Sequence, residues 1–207
     1  MTQLEQEDIA EIAEAGSHVS HCPESDLKLA SGICPVSRLL EAGVNVALGT
    51  DGAASNNDLD MFGEMRSAVL LGKLAADSAA AVTARDVIRM ATVNGARALG
   101  LGEETGSLVP GKWADMIAVD LDRVNTRPVF DPVSQIVYAA GRDQVTDVWI
   151  AGSRLLRRHF RAARRDTDQG EKNCMLEFHD RQVAAFNRLI LAAARPGGQR
   201  PLLSRGA

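Results

Sequence analysis

The run "VNVALGT", residues 44–50, restricts the fold of this chain more than any other stretch. It is short, almost wholly small and apolar, and bounded by Gly43 and Asp51, as a strand buried on both faces would be. Such strands belong to parallel sheets covered by helices, and the preceding residues meet that requirement. "CPVSRLLEAG" places Pro35 at a helix start, Val36, Leu39 and Leu40 on one face, and Gly43 at the stop. "SHVSHC", residues 17–22, is short and partly alternating, and Pro23 forbids its continuation as a central strand. Strand, helix, strand implies a parallel pair.

The rest of the chain divides by pattern. Residues 4–15 put Leu4, Ile9, Ile12 and Ala13 near one helical face, and Gly16 ends that helix. Residues 59–74 are helical in pattern, Thr83 caps a shorter helix through Ala91, and "ATVNGARALGL" continues as helix with one Gly interruption. From Gly106 the pattern changes: "GSLVPGKWADMIAVDLD" and "QVTDVWIAGSRLL" are β-rich, with Gly and Pro punctuation. We therefore expect an α/β part over residues 1–104 and a small β module over 105–156. Residues 157–207 hold an arginine-rich segment, "RRHFRAARRDTDQG", then a helix over 175–194 and a frayed tail.

A net charge of -4 argues against nucleic acid or an anionic membrane as partner. Cys22, Cys34 and Cys174 are too few and scattered for a disulfide framework, so a reduced, cytoplasmic setting is expected. Cys22 and Cys34 read as small buried hydrophobes. The acidic, amphipathic start has no signal-peptide pattern, and no apolar run approaches the roughly 20 residues needed to span a bilayer.

Asp51 stands at the end of the buried strand, where α/β folds place their chemistry. On local pattern alone the preferred reading is a helix N-cap or turn residue. A calcium loop starting at Asp51 fails, because its sixth position is Asn56 rather than Gly and its twelfth is Phe62 rather than Glu.

A longer resemblance changes that balance. "VSHCPESDLKLASGICPVSRLLEAGVNVALGTDGAASNNDLDMFGEMRSA" resembles the late barrel segment of the metal-dependent amidohydrolase superfamily. Within it, "GTDGAASNN" is similar to the branch of 5'-methylthioadenosine/S-adenosylhomocysteine deaminases and triazine chlorohydrolases. "ATVNGARALGL", "GSLVPGKWADMIAVD" and "VTDVWIAGSRLL" follow in that family's order, so the resemblance covers residues 1–156. It implies a (β/α)8 TIM-type barrel with a divalent metal, usually zinc, at the C-terminal mouth of its strands, plus part of a small β-sandwich module.

In that family a His-x-His, two further histidines and an eighth-strand Asp surround the metal. Asp51 matches the Asp, which makes it metal ligand, catalytic carboxylate relaying a proton of the attacking water, and substrate contact. Gly52, Ala53 and Ala54 would leave room for a substrate ring, and Ser55 is a candidate hydroxyl partner for it. "SHCPESDLKL" corresponds to the seventh strand. His21 then lines the pocket as a substrate contact or supports the strand, and support is the preferred reading. His18, His159 and His179 have no better claim, and Lys28 reads as structural. Asp26 stands where the family often has Asn, which alters nearby hydrogen bonding to substrate.

The expected histidine ligands are missing: the sequence has no His-x-His, and the fifth-strand His with its companion Glu, spaced HxxE in the family, is absent as well. "MTQL" corresponds to residues directly after the sixth-strand His, so the chain is expected to be the C-terminal half of such an enzyme, with two barrel strands of eight. A frameshift, a fusion or divergence are alternative origins for residues 157–207. Three functions stand open. The leading one is hydrolytic deamination of an adenine-type nucleoside by a complete protein, expected to be a homo-oligomer. The second changes the substrate to a triazine or another N-heterocycle. The third is an inactive fragment or half-subunit, because one Asp cannot hold zinc, which takes three protein ligands plus water.

Overall fold

A computed structural model describes residues 1–157; the expected arginine-rich segment, helix and tail, with His159, Cys174 and His179, lie outside the described residues. Helix α1 (Gln6–Glu14) buries Ile9. Strand β1 (His18–His21) then buries Val19 and His21 and leaves His18 and Ser20 exposed. The strand ends there, before Pro23, as expected, and "PESDLKL", which the family resemblance includes in its seventh-strand segment, forms helix α2 (Pro23–Leu29). The cause is local. Pro23 occupies the first helical position, where no N–H is needed, while Glu24 and Asp26 in the first turn and Lys28 in the last complement the helix dipole.

Helix α3 (Val36–Glu41) crosses to β2 (Asn45–Leu48), which pairs in parallel with β1, His18 opposite Asn45 and His21 opposite Leu48. The expected strand, helix, strand unit is thus present. After β2 come α4 (Ala53–Asn56), α5 (Met61–Ala75), α6 (Ala84–Ala91) and α7 (Val93–Ala98). The Asp60 carboxylate accepts the Phe62 N–H at 3.0 Å and so starts α5 two residues later than its apolar pattern does. Thr83 and Asp86 form a capping box at α6, as the sequence predicts. Thr92, not Gly95, divides α6 from α7: Gly95 lies inside α7.

Helices α3, α5, α6 and α7 all pack against β2, and Val46, Val69, Val87 and Met90 are fully buried between them. Buried Asn94 of α7 donates from Nδ2 to the Val46 carbonyl at 2.9 Å, and Asn45 Nδ2 donates to the Asn94 carbonyl at 3.0 Å. A side chain so placed satisfies a strand carbonyl that would otherwise be buried without a donor.

The second sheet is antiparallel, in the order β3 (Met116–Val119), β4 (Val145–Ile150), β5 (Ser153–Arg157). Ala151 and Gly152 join β4 to β5 with φ of 49° and 75°, the paired positive values that a two-residue hairpin turn requires. Helix α8 (Pro132–Tyr138), which the β-rich reading passes over, is capped by Asp131 and packs on α5 and α6. Gly106 has φ +85°, and a Cβ there would lie 2.7 Å from the Ala96 Cβ and 3.1 Å from the Val93 Cα, so only glycine allows the chain to pass α7 so closely. Among the described residues no helix is long and apolar enough to cross a membrane.

Candidate active site

Because His21 lies opposite Leu48, both strands of the parallel pair deliver their following residues to the same C-terminal end. Asp51 follows β2 there with φ +60°, a left-handed conformation that aspartate adopts more readily than most residues. The N-cap of α4 is Gly52, which corrects the helix-cap reading of Asp51. Its exposed carboxylate is instead held from two directions. Ser55 Oγ donates to Oδ2 at 2.8 Å from within α4, and Ser25 Oγ donates to the same oxygen at 2.9 Å from the first turn of α2. The Ser55 hydroxyl, then the Ser25 hydroxyl and the Gly52 N–H, hold the Asp51 carboxyl below the usual carboxylate range. It is ionised at neutral pH, with Oδ2 occupied by hydroxyls.

Ser55 is thereby placed against Asp51, as a clamp on the carboxylate. Ser25 is the residue that sequence reasoning missed. It lies 26 positions from Asp51, and the only signal for it was that "HCPES" and "GTDGAAS" each follow a strand of one parallel pair. Lys28, read as structural, spans the same gap: its Nζ donates to the Ala54 carbonyl at 2.8 Å and to the Asn57 side chain. Cys34 is buried as expected, but Cys22 is only half-buried, being the last residue before α2.

His21 is not among the groups that hydrogen-bond the Asp51 carboxylate. It is 3 % exposed, its Nδ1 has no hydrogen-bond partner, and the Asp26 carboxylate stands 3.8 Å away. Burial pushes its pKa down to about 4, with a smaller contribution from the charge of the chain N-terminus. Beneath the clamp sits Glu64 of α5, wholly buried. Burial pushes its carboxyl up to about 7, against the pull of the Glu24 N–H and with added repulsion from the Glu24 and Asp58 carboxylates.

These two groups tilt stability in opposite directions. A histidine depressed from 6.5 to about 4 supports the fold above pH 6.5, and that support is lost as pH falls through about 4. A carboxyl raised from 4.5 to about 7 gives support that is complete below pH 4.5 and lost as pH rises through about 7. In thermal melts over that range, His21→Phe should therefore gain on the wild type as pH falls. Glu64→Gln should gain on it as pH rises. Parallel curves for variant and wild type would show that the group does not titrate in this way.

The donor set limits what the described residues can hold. Asp51 offers one carboxylate, and among the described residues no group of three or more His, Cys, Asp and Glu is arranged to hold a metal ion. They do not make a zinc site by themselves, since such a site takes three protein ligands.

The chain matches the amidohydrolase family over residues 1–155. It is 57 % identical over 157 residues to a 5-methylthioadenosine/S-adenosylhomocysteine deaminase of Teredinibacter turnerae, covering 76 % of this chain and 36 % of that one. A solved adenosine deaminase from Xanthomonas campestris, with bound zinc, superposes with a TM-score of 0.76 at 48 % identity, over 90 % of this chain and 42 % of that one. An atrazine chlorohydrolase from Arthrobacter aurescens, complexed with zinc, superposes with a TM-score of 0.72 at 28 % identity, over 89 % and 39 %. The chain spans about a third of the length of the curated relatives it matches. With a family match over three quarters of its residues, an α/β core and an Asp at the C-terminal end of a parallel strand, this chain belongs to the amidohydrolase family.

Proposed function

We propose that this chain is the C-terminal portion of a zinc-dependent hydrolase that deaminates adenine-type nucleosides of the 5'-methylthioadenosine and S-adenosylhomocysteine class. In this reading residues 1–104 carry the last two strands and helices of a (β/α)8 barrel, and residues 105–156 belong to a small β module. The remaining barrel strands and the histidine ligands come from residues outside these 207. The carrying observation is the Asp51 carboxylate, kept ionised by two hydroxyls at the end of a parallel strand, in a chain 57 % identical to a deaminase of that class. Free Cys22 and Cys34 support a reduced, cytoplasmic setting.

Asp51 is the one metal ligand assigned to the described residues. Bound zinc would supply the Lewis acidity that brings water within reach of deprotonation near neutral pH. The residues of this chain do the rest of what is assigned here. Serines 25 and 55 hold Oδ2 of Asp51 and fix the direction of the carboxylate, which takes a proton from the attacking water. Oxygen adds to the amino-bearing carbon, the carbon–nitrogen bond breaks, and the proton held on Asp51 passes to the departing nitrogen, which leaves as ammonia. A low proton affinity suits both tasks: it keeps the carboxylate charged as a ligand and lets it release a proton readily.

A second reading keeps the chemistry and changes the substrate to a triazine or another N-heterocycle; the TM-score of 0.72 to the chlorohydrolase supports it, at half the identity. The test is one experiment. The chain is co-expressed with the part of the Teredinibacter turnerae relative that it does not match, and the complex is assayed for zinc, for ammonia release from 5'-methylthioadenosine and adenosine, and for chloride release from atrazine. About one zinc per complex, with release from the nucleosides, is the expected result. Chloride release from atrazine with no ammonia from the nucleosides would favour the second reading, and a complex with neither zinc nor turnover would reject both.

A further inference from the structure

The Asp51 clamp depends on two short segments from different parts of the chain: the first turn of α2, carrying Ser25, and α4, carrying Ser55. Each lies next to a residue held by the same buried carboxyl. Glu64 Oε2 accepts the backbone N–H of Glu24, the neighbour of Ser25, at 3.1 Å. Glu64 Oε1 accepts the side-chain amide of Asn56, the neighbour of Ser55. Asn56 cannot turn over freely, because its Oδ1 accepts the Leu59 N–H at 2.7 Å.

We propose that Glu64 is the positioning residue of this site: one buried carboxyl sets the spacing between Ser25 and Ser55, and through them the direction of the Asp51 carboxylate. Packing reinforces the arrangement. A Cβ on Gly63 would lie 2.7 Å from the Glu24 Oε1, so the glycine leaves room for the Glu24 carboxyl against the first turn of α5. Ser67 of α5 donates to the same Glu24 oxygen at 3.0 Å. Helix α5 is thus tied to α2 at two levels, and Glu64 also reaches α4.

The polarity of the contact is what carries the role. Both groups facing Glu64 are N–H donors, and above about pH 7, where the carboxyl is ionised, it accepts from both, so the variants are compared there. In Glu64→Gln the new amide has one oxygen, so its own NH2 must face a donor, and a buried donor pair of that kind drives the two segments apart. Asn56→Asp makes the opposite error by setting two carboxylates against each other. Combining the two changes restores a matched set. The new amide accepts from Glu24 and donates to the new carboxylate, whose other oxygen still accepts from Leu59.

The test uses the complemented enzyme described above and rests on the proposed deaminase function only where turnover is read. Glu64→Gln is expected to lower kcat about 30-fold with KM changed less than about threefold, in line with the cost of a misplaced catalytic group. Asn56→Asp is expected to lose a similar factor, and the double variant to return to within about threefold of the wild type. Hydrogen exchange at the Glu24 and Leu59 amides should quicken in each single variant and slow again in the double. Losses that simply multiply in the double variant, or a Glu64→Gln enzyme of wild-type rate, would overturn the proposal. If the wild-type complex deaminates nothing, the functional reading fails, and the exchange pattern alone decides this one.

Discussion

Asp51→Ala in the complemented enzyme is expected to reduce kcat by about a thousandfold or more, the range seen when a group that stabilises developing charge is removed. Asp51→Asn, which keeps the shape and loses the charge, should fall nearly as far, because the amide can neither serve as an anionic ligand nor take a proton. Ser25→Ala and Ser55→Ala each remove one of two hydroxyls from Oδ2 and leave the carboxylate in place, so about a tenfold loss is expected from each. The ordering is the diagnostic feature. Steady-state kinetics of the four variants would check it, and an Asp51→Ala enzyme retaining more than about a tenth of the wild-type rate would remove Asp51 from the chemistry.

The second large effect concerns the 207 residues expressed alone, which are expected to associate in solution and to bind no stoichiometric zinc. Among the described residues β1 and β2 form a sheet of two strands, so each strand has one unpaired edge. Two strands are too few for a parallel sheet to stand alone, and open edges pair with other chains. Apolar side chains add to this: Leu27, Leu29 and Ile33 are 52, 59 and 42 % exposed in and just after α2, and Phe130, just before α8, is 91 % exposed. Sizing chromatography with light scattering should give a species well above 22.1 kDa, and metal analysis far less than one zinc per chain. Co-expression with the unmatched part of the relative should restore both a defined size and zinc. A cooperatively melting monomer from the 207 residues alone would sink the expectation.

How much of this was legible beforehand follows from the range of the forces involved. Thr83 and Asp86 announce α6 because a capping box is complete within four residues. The burial of β2 is legible because apolar content and Gly43 are local, and the parallel pairing follows because a helix stands between two strands. Pro23 ends the first strand where the sequence says it must. The resemblance places "PESDLKL" in a strand segment, whereas Pro23 at the first helical position and the charge order along the segment favour helix. Helix α8 was missed because seven residues carry too little periodicity to register within a β-rich stretch.

The sequence by itself determined the alternating α/β order, the strand that ends at Asp51, and the likeness of "GTDGAASNN" to a family of metallohydrolases. Only the tertiary structure decided that Ser25 shares an oxygen of Asp51 with Ser55, and that Glu64 joins Glu24, 40 residues away, to Asn56. The reason is physical. A cap or a strand pattern is written in neighbouring residues, whereas a hydrogen bond across two loops exists only once parallel pairing has brought their strand ends together and burial has removed water as the competing partner.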